Sequence, residues 1–240
     1  MDNIKLENLN VKIFADGADK DTMIKMYEEP HIHGLTTNPT LMKKSGILDY
    51  KAFCLDVLKT IKNKPLSFEV FSDDFDEMER QALEITSWAE NVYVKIPITN
   101  TKRETCYELV NKLSHQGVKL NITAIMTIDQ VQNVVNNLNP DVASYISVFA
   151  GRIADTGRDP LPIMVSSLKI MKSQPLSELI WASPRELLNI FQAHDIGCHI
   201  ITVTSDILKK LSLIGFDLEN YSLETVKMFY KDAVEAGYKL

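Results

Sequence analysis

The sequence predicts an α/β fold, because short β-branched segments alternate with longer segments of helical periodicity. Eight segments of the first kind occur, and successive ones begin about 20 to 33 residues apart, which is the size of a βα unit. Regular alternation favours a parallel sheet joined by crossover helices. Eight such units in 240 residues favour closure into a (β/α)8 barrel, or TIM barrel, over an open doubly wound sheet.

The eight predicted strands are rich in Val, Ile, Leu and aromatic residues. They span residues 12–16, 34–38, 66–71, 92–98, 119–125, 145–149, 178–183 and 198–204. No Gly-x-Gly-x-x-Gly motif follows any of them, which argues against a dinucleotide-binding sheet. The carboxyl ends of the strands are therefore expected to form one rim, where barrel enzymes carry their chemistry.

The segments between the strands carry apolar residues at helical spacing, most clearly at 73–89, 103–116, 128–138, 161–173 and 184–193. A further helix is predicted at 222–240, where Leu223, Val226, Phe229 and Val234 form the pattern. Two positions are open to this helix: over the barrel mouth, or against a neighbouring subunit of a homo-oligomer. No linker or change of composition interrupts the chain, so we expect one barrel domain over residues 1–240.

The composition argues against several classes of partner. The chain has 26 basic and 32 acidic residues and no long basic run, so we expect no nucleic-acid partner. The polar N-terminus and the lack of any run of about 18 apolar residues argue against secretion and membrane spanning. The three cysteines, Cys54, Cys106 and Cys198, form no CxxC pair, which gives no indication of a disulfide framework or zinc site. A reduced, cytoplasmic setting fits these features.

Lys95 is the most informative polar residue, because it interrupts the apolar segment Val-Tyr-Val-Lys-Ile-Pro-Ile at 92–98. Burial of an ammonium group is costly, so such a lysine either pairs its charge or gives it up. A buried neutral amine attacks carbonyl groups and forms Schiff bases. A snorkelling side chain or an ordinary ion pair is the structural alternative.

Strand alternation turns further polar residues to the same side as Lys95, because side chains two positions apart share a face. The residues expected to face inward are Asp16, Thr36, Asn38, Glu69, Asn121, Thr123, Ser147 and Phe149. Leu120, Ile122 and Ala124 of the fifth strand are expected to face outward. A barrel interior filled only for stability would be mainly Val, Ile and Leu, so this polar set predicts a site. A satisfied polar network without chemistry is the alternative.

Schiff-base chemistry suggests roles for these residues. Glu69 is placed to move protons on and off a carbinolamine, directly or through a water held by Thr123. Asp16 is the free carboxylate available to take a proton from a sugar hydroxyl when the adjacent carbon–carbon bond breaks. Asn38 and Asn121 can orient substrate hydroxyls through their amide groups, although an Asn followed by proline is also typical of a turn.

Two arginines follow neighbouring strands and predict an anion site. Arg152 follows the sixth strand and Arg185 the seventh, with Ser147 and Ser183 nearby. Together these side chains can clamp a phosphate. Arg185 is also expected in the first turn of a helix, where free N–H groups favour an anion. Surface ion pairs are the alternative for both arginines.

No metal ion or organic cofactor is predicted, because a Schiff-base lysine supplies its own electron sink. His31 and His33 lie in a loop without a carboxylate at ligand spacing, which favours solvated histidines over a metal site. The acidic run at 72–77 is typical of a helix N-cap and first turn.

Five short segments match a known pattern in order and spacing. They are Phe-Ala-Asp at 14–16, Leu-Thr-Thr-Asn-Pro-Thr at 35–40, Val-Lys-Ile-Pro at 94–97, Asn-Ile-Thr at 121–123 and Ile-Ser-Val-Phe-Ala-Gly-Arg at 146–152. Together they resemble transaldolase, in particular its compact branch, which also includes fructose-6-phosphate aldolase. The similarity extends from about residue 11 to residue 215.

The resemblance implies roles for individual residues. Lys95 would be the Schiff-base lysine, Asp16 the base for the C4 hydroxyl, and Glu69 the acid/base. Thr123 would hold the catalytic water. The implied substrate contacts are Asn38, Asn121, Ser147, Arg152 and Arg185, and we add Thr36, Phe149 and Ser183 as their neighbours in the same segments.

The same resemblance implies transfer rather than simple cleavage, because the aldolase branch carries Gln and Tyr at the positions of Glu69 and Phe149. Pro184, and the segment Thr-Val-Thr-Ser at 202–205, depart from the family pattern and concern the phosphate grip. We expect a transaldolase of sugar metabolism, such as the pentose phosphate pathway, acting on fructose 6-phosphate or sedoheptulose 7-phosphate. An aldolase that releases dihydroxyacetone and a non-catalytic sugar-phosphate-binding barrel are the alternatives.

Overall fold

The computed structural model describes residues 6–240 and shows a closed barrel of eight parallel strands that pair in chain order. The strands are β1 (Lys12–Asp16), β2 (Ile32–Thr36), β3 (Leu66–Glu69), β4 (Val92–Pro97), β5 (Leu120–Ile125), β6 (Ser144–Val148), β7 (Ser177–Trp181) and β8 (Ile200–Thr204). The predicted (β/α)8 fold is confirmed. The first five residues of the predicted domain lie outside the described residues.

Helices follow the strands and surround the barrel. They are α1 (Lys20–Glu28), α2 (Pro39–Lys44), α3 (Tyr50–Thr60), α4 (Phe75–Thr86), α5 (Tyr107–His115), α6 (Ile128–Asn137), α7 (Ala150–Asp155), α8 (Leu161–Ile170), α9 (Leu188–Asp195), α10 (Ser205–Leu208) and α11 (Leu218–Glu235). The acidic run at 72–77 begins α4 as predicted, because the Asp74 carboxylate accepts a hydrogen bond from the Glu77 backbone N–H at 2.9 Å.

The predicted second strand was placed two residues too late. In the structure β2 ends at Thr36. Asn38 is already the N-cap of α2, where its side chain accepts a hydrogen bond from the Leu41 backbone N–H at 3.0 Å. Pro39 occupies the first helical position, which tolerates proline because its N–H would be unpaired there. The Asn-Pro pair therefore starts a helix at the barrel rim.

The hydrophobic core has two layers. The larger layer lies between the strands and the helices and includes Val94 and Ile96 from either side of Lys95. The smaller layer fills the barrel interior with Phe14, Tyr93, Tyr145, Ile180 and Ile200. Two positions after each interior residue, in the same strand or directly after it, comes a residue that lines a polar cavity: Asp16, Lys95, Ser147, Ala182 and Thr202. The apolar plug thus closes the barrel below the cavity.

Phe14 and Gly34 account for the tight fit of this plug. A Cβ atom on Gly34 would lie 2.5 Å from the Phe14 ring, so only glycine leaves room for that ring. Phe14 packs edge-on against Tyr145, which stacks on Tyr93 with ring centroids 4.0 Å apart. The interior of the barrel is therefore a packed floor rather than a channel.

The helix predicted at the C-terminus is present as α11, which begins four residues earlier than expected. Its start is fixed by Asp217, whose side chain accepts a hydrogen bond from the Asn220 backbone N–H. None of its 18 residues is buried, and Leu218, Phe229 and Tyr230 are largely exposed. No helix among residues 6–240 is long and apolar enough to span a membrane.

Candidate active site

A cavity of about 500 Å³ opens at the carboxyl ends of the strands. Every residue predicted for the site lines it: Asp16, Thr36, Asn38, Glu69, Lys95, Asn121, Thr123, Ser147, Phe149, Arg152, Ser183 and Arg185. The sequence predicted this grouping because the strand alternation and the rim position both follow from the order of the residues. The geometry of the individual side chains required the structure.

Lys95 lines the cavity and is 7% exposed. Its Nζ lies 3.3 Å from Glu69 Oε2 and donates a hydrogen bond to the Thr37 carbonyl oxygen at 3.1 Å. The two residues of the ion pair are register partners on β3 and β4, so the sheet itself sets their separation. The amine is therefore both buried and held beside a group that can exchange a proton with it.

Glu69 has an unusual backbone partner. The pairing of β2 with β3 ends at Ser67, so the Glu69 carbonyl oxygen has no strand neighbour on that side. Tyr50 of α3 supplies the missing donor, with its hydroxyl 2.7 Å from that oxygen. Burial raises the pKa of the Glu69 carboxyl, against the opposing charge of Lys95, while the nearby Asp16 charge adds to the rise.

The Asp16 carboxylate lies at the end of a hydrogen-bonded chain that includes two threonine hydroxyls from the adjacent strands. The Thr36 hydroxyl donates a hydrogen bond to Asp16 Oδ1 at 2.8 Å and lies 2.6 Å from the Thr202 hydroxyl. Burial raises the pKa of Asp16, and the Lys95 charge and the Thr36 hydrogen bond both oppose that rise. Two carboxyl groups with raised pKa values therefore flank the lysine in one cavity, a pattern found at active sites.

Asn121 is oriented by a second chain of buried groups. Its Nδ2 donates a hydrogen bond to Ser67 Oγ at 3.0 Å, and its Oδ1 accepts one from Ser147 Oγ at 2.7 Å. Lys95 is its register partner on β4. The amide is thereby fixed with its nitrogen towards β3, and the hydroxyl hydrogen of Ser147 is used within the protein.

The fifth strand corrects one prediction of facing. Ala124 was expected to point outward, yet it lines the cavity together with Thr123. The pairing of β5 with β6 has an irregularity between Ile122 and Ile125, and Ala124 has a φ of 61°. A bulge of this kind breaks the alternation of side chains, so the pattern of the sequence fails locally.

The two arginines have different environments. Arg152 is the third of the six residues of α7, and its guanidinium is 5.7 Å from the centroid of the Phe149 ring. Arg185 forms a two-pronged ion pair with Asp155, including an Nε–Oδ1 distance of 2.8 Å. The expected position of Arg185 in a helix is wrong, because α9 begins only at Leu188. Its backbone N–H is not free either, since it donates to the Asn189 side chain at 2.8 Å.

Ser183 joins the two arginine segments. It has a φ of 56°, in the left-handed region that non-glycine residues rarely adopt. A Cβ atom added to Gly151 would lie only 1.5 Å from the Ser183 carbonyl oxygen. The start of α7 is therefore in direct contact with the loop after β7. Two departures from the family pattern differ in position. Thr202 is one of the described residues that line the cavity, and Pro184 is not.

Sequence reasoning missed four residues that the structure connects to the site. Ser67 and Tyr50 hold Asn121 and Glu69, Thr202 contacts Thr36, and Lys44 lines the cavity mouth. Ser67 shares the inward face of Glu69, so alternation alone was sufficient to find it. Thr202 alternates with the outward Ile201 and Val203, so the same rule applies to it. Tyr50 carries no such signal, because its contact depends on how distant segments pack.

The described residues contain no group of three or more His, Cys, Asp or Glu side chains that is arranged to hold a metal ion. His31 is near one carboxylate only, with its Nδ1 3.8 Å from Glu29. The three cysteines are free and buried, and burial raises the pKa of Cys106 and of Cys198 to about 12. These thiols are therefore packing groups rather than reactive ones.

Known proteins resemble this chain along most of its length. The family model described as Transaldolase/Fructose-6-phosphate aldolase matches residues 13–240. A probable transaldolase of Dehalococcoides mccartyi is 34% identical over 202 residues, which cover 84% of this chain and 90% of that protein. A probable transaldolase of Thermoanaerobacter sp. is 32% identical over 231 residues, which cover 96% and 100%.

A more distant similarity concerns the fold alone. A dihydrodipicolinate synthase from Rhodopseudomonas palustris superposes with a TM-score of 0.58 at 16% sequence identity, over 92% of this chain and 81% of that chain. Fold and site define the class of the protein as a (β/α)8 barrel with a buried lysine and two carboxyl groups in one cavity at the carboxyl ends of the strands. The match over residues 13–240 shows that the chain belongs to the transaldolase/fructose-6-phosphate aldolase family.

Proposed function

We propose that this protein is a transaldolase, which moves a three-carbon dihydroxyacetone unit from a ketose phosphate to an aldose phosphate. The observation that carries the proposal is the Lys95 amine, buried in a polar cavity 3.3 Å from a Glu69 carboxylate oxygen. By carbon count, sedoheptulose 7-phosphate as donor leaves a four-carbon aldose phosphate. Transfer of the unit to glyceraldehyde 3-phosphate then gives fructose 6-phosphate.

The first stage is the capture of the ketose. The neutral Lys95 amine attacks the C2 carbonyl and gives a carbinolamine, which loses water to form a protonated Schiff base. Glu69 takes the proton that the ammonium gives up and delivers a proton to the departing hydroxyl. The burial that raises the pKa of Glu69 supports this role, because the carboxyl then exchanges protons closer to neutral pH. Thr123 lines the same cavity, and its buried hydroxyl has no hydrogen-bond partner in the described chain, so we propose that the side chain turns towards the cavity to hold the water.

The second stage is cleavage and transfer. Asp16 accepts the proton of the C4 hydroxyl while the C3–C4 bond breaks and C4 leaves as an aldehyde. The electron pair of that bond moves towards the iminium nitrogen and leaves a three-carbon enamine on Lys95. The acceptor aldehyde reacts in the reverse sense, and Asp16 returns its proton to the new hydroxyl. Water then adds to the product Schiff base, and the reverse of the first stage releases the new ketose phosphate and the Lys95 amine. Asn38 and Asn121 are proposed to orient the sugar hydroxyls.

The phosphate of the sugar is proposed to lie between Arg152 and Ser183, with Arg185 at the edge. This position is supported by the contact between the start of α7 and the loop after β7, which brings the three residues to one side of the cavity. Arg185 is shared with Asp155, so its charge is partly used within the protein. Ser147, whose hydroxyl hydrogen is given to Asn121, is proposed to act on the substrate through that amide.

Glu69 and Phe149 support transfer as the main activity, because the aldolase branch of the family carries Gln and Tyr at these positions. Both residues line the cavity. Phe149 offers no hydroxyl beside Arg152, so the enamine has fewer proton donors than it would beside a tyrosine. A longer-lived enamine gives an acceptor aldehyde time to bind.

The test is reduction of the Schiff base by borohydride in the presence of fructose 6-phosphate, followed by mass spectrometry. The intact protein is expected to gain the mass of one reduced three-carbon unit, and peptide mapping is expected to place it on Lys95. Lys95→Met removes the adduct, whereas Lys44→Met, a change to another lysine of the same cavity, retains it. A native protein that forms no adduct with any ketose phosphate contradicts the proposal.

The aldolase activity is the second candidate, since the matching family model covers both activities. A panel of donors and acceptors separates them: transfer requires an aldose phosphate acceptor, and an aldolase releases dihydroxyacetone equally fast without one. Binding of ketose phosphates in calorimetry without any turnover would instead indicate a non-catalytic sugar-phosphate-binding barrel.

We also propose that α11 serves self-association. The helix carries apolar side chains on its exposed surface, and no residue of it lines the cavity among the described residues, so it does not cover the barrel mouth. Light scattering on the full chain and on a chain that ends at residue 216 tests this. We expect an oligomer for the former and a smaller species for the latter. A monomeric full chain would contradict the proposal.

The proposed setting is cytoplasmic sugar metabolism. Phosphorylated sugars are intracellular substrates, and the three buried cysteines are unpaired. Fractionation of cells that produce the protein tests this placement through the transaldolase activity of the soluble and membrane fractions.

A further inference from the structure

Thr202 lies at the start of a directed hydrogen-bond chain that ends on Asp16. It belongs to β8, is 7% exposed, and its hydroxyl is 2.6 Å from that of Thr36 on β2. The Thr36 hydroxyl in turn donates to Asp16 Oδ1 at 2.8 Å. β1, which carries Asp16, lies between β8 and β2, so the three side chains meet over one strand.

The direction of this chain follows from counting protons. An ionised carboxylate only accepts hydrogen bonds, and a threonine hydroxyl has one hydrogen to donate. Thr36 uses its hydrogen on Asp16, so Thr202 must be the donor in the contact between the two hydroxyls. The Thr202 hydroxyl therefore donates to Thr36, and the Thr36 hydroxyl donates to Asp16. Both hydroxyl hydrogens are used within the chain.

We propose that Thr202 is a positioning residue for the cleavage step, which fixes the Thr36 hydroxyl and through it orients the Asp16 carboxylate. This inference rests on the proposed transaldolase function, in which Asp16 takes the proton of the C4 hydroxyl. Thr36 is 2% exposed, so bulk water is a poor substitute for the Thr202 donor. Hydrogen bonds in a chain also polarise one another, so loss of the first weakens the second.

The charges around Asp16 determine the expected pH effect. Burial raises the pKa of Asp16, while the Lys95 charge and the Thr36 hydrogen bond lower it, and Glu69 is the other carboxyl that faces it. A weaker Thr36 hydrogen bond therefore lets the pKa of Asp16 rise further. The base is then protonated up to a higher pH, and the acidic limb of the kcat profile moves upward.

The Schiff-base step provides an internal control. The Lys95 amine contacts Glu69 and the Thr37 carbonyl oxygen rather than any member of the threonine chain. A change at Thr202 is therefore expected to leave the total borohydride adduct, six-carbon and three-carbon together, undiminished and to slow the bond cleavage that converts the first into the second. A general distortion of the cavity would reduce both.

The experiment compares Thr202→Val, which keeps the shape, with Thr202→Ser, which keeps the hydroxyl. For Thr202→Val we expect kcat for fructose 6-phosphate to fall about tenfold, less than the loss of the base itself would cost. We expect an unchanged KM, an acidic limb shifted to higher pH and an undiminished borohydride adduct. Thr202→Ser is expected to restore kcat to within about twofold of the native value. Circular dichroism and thermal unfolding verify that both variants fold.

A double-mutant cycle with Thr36→Val distinguishes action through Thr36 from direct contact with the sugar. If Thr202 acts through Thr36, the Thr202→Val change has little further effect once Thr36 is valine. An equal loss in both backgrounds overturns the inference, as does a Thr202→Val variant with native kcat and pH profile. Failure of the native protein to form an adduct would instead contradict the proposed function, so the two failures are distinguishable.

Discussion

Glu69 and Lys95 face each other across the register of β3 and β4, with the amine nitrogen 3.3 Å from a carboxylate oxygen. Neither group is well solvated, since only 9% of the Lys95 side chain and 16% of the Glu69 side chain are exposed. Burial of one charge without the other would be costly, so each residue offsets the desolvation cost of the other in the barrel interior. The same contact provides the path for the proton that the amine must lose before it attacks a carbonyl.

Glu69→Gln is expected to lower kcat by about 10²- to 10³-fold, because the amide accepts no proton from the amine and returns none to the carbinolamine. Steady-state kinetics with fructose 6-phosphate and an aldose phosphate acceptor measure this loss. The rate at which the borohydride adduct forms should fall in parallel, while the final amount on Lys95 stays the same. Glu84→Gln, on the outer surface in α4, is the matched control and should leave both rates unchanged. Native rates of adduct formation in Glu69→Gln would exclude the carboxyl from the Schiff-base step.

Asp16→Asn is expected to abolish most activity and yet to stabilise the fold at neutral pH. Burial raises the pKa of Asp16 in the folded state, so the folded protein binds this proton more tightly than the unfolded chain does. Stability contributed by the protonated group is present at acid pH and is lost as the pH rises through the folded pKa. Asparagine cannot ionise and avoids that loss.

Urea unfolding of the native protein and of Asp16→Asn from about pH 4 to about pH 7 tests this sign. The free energy of unfolding of the variant should gain on that of the native protein as the pH rises. We expect kcat to fall by about 10³-fold at the same time. A variant that is less stable at neutral pH, by a margin that grows with pH, would mean that the ionised carboxylate stabilises the fold.

Arg152→Ala is expected to raise the KM for fructose 6-phosphate by roughly 10- to 100-fold, the equivalent of one lost charge-assisted hydrogen bond. Turnover of an unphosphorylated ketose should remain unchanged, because no phosphate contact is lost. Arg158→Ala is the matched control, since Arg158 lines a separate groove beside α6. An equal rise in KM for phosphorylated and unphosphorylated donors would contradict a phosphate-binding role.

The predictable part of the site is the part that follows from strand periodicity. Lys95, Glu69 and Asp16 were found because a period of two and a position at the strand end suffice to direct a side chain into the cavity. Ala124 was misplaced because a bulge depends on one backbone dihedral, a φ of 61°, that no residue pattern announces. The contact of Thr202 with Thr36 follows from no local pattern, because the two residues lie 166 positions apart in sequence.

Helix boundaries near the site were less predictable than the strands. Arg185 was assigned to a first helical turn, but the Asn189 side chain binds the backbone N–H groups of Arg185 and Glu186 and delays the start of α9. Such side-chain-to-backbone bonds compete with the helix, and their outcome depends on local geometry. The ion pair of Asp155 with Arg185 follows from no local pattern either, since Asp155 ends α7 and Arg185 lies in the loop after β7.

Tyr50→Phe is expected to destabilise the protein by about 1–3 kcal/mol, because the Glu69 carbonyl oxygen loses its only donor on the side where β2 ends. Urea unfolding measures this cost. A freer Glu69 backbone should also lower kcat, without loss of the final borohydride adduct. Tyr238→Phe, at an exposed position beyond the end of α11, is the control and should change neither quantity. Native stability in Tyr50→Phe would show that water replaces the phenol at that oxygen.

Gly151→Ala is expected to disrupt the phosphate side of the cavity, because the added Cβ would lie 1.5 Å from the Ser183 carbonyl oxygen. That oxygen belongs to the backbone, so either α7 or the loop after β7 must shift, at a cost of about 1–3 kcal/mol. A shift of either segment separates Arg152 from Ser183, and the KM for phosphorylated donors should rise accordingly. Gly17→Ala is the control, since a Cβ there meets no atom within 4 Å. Thermal unfolding and the ratio of KM values for phosphorylated and unphosphorylated ketoses measure both effects. Unchanged values in Gly151→Ala would mean that the contact relaxes without moving Arg152, and the phosphate site would then not depend on this junction.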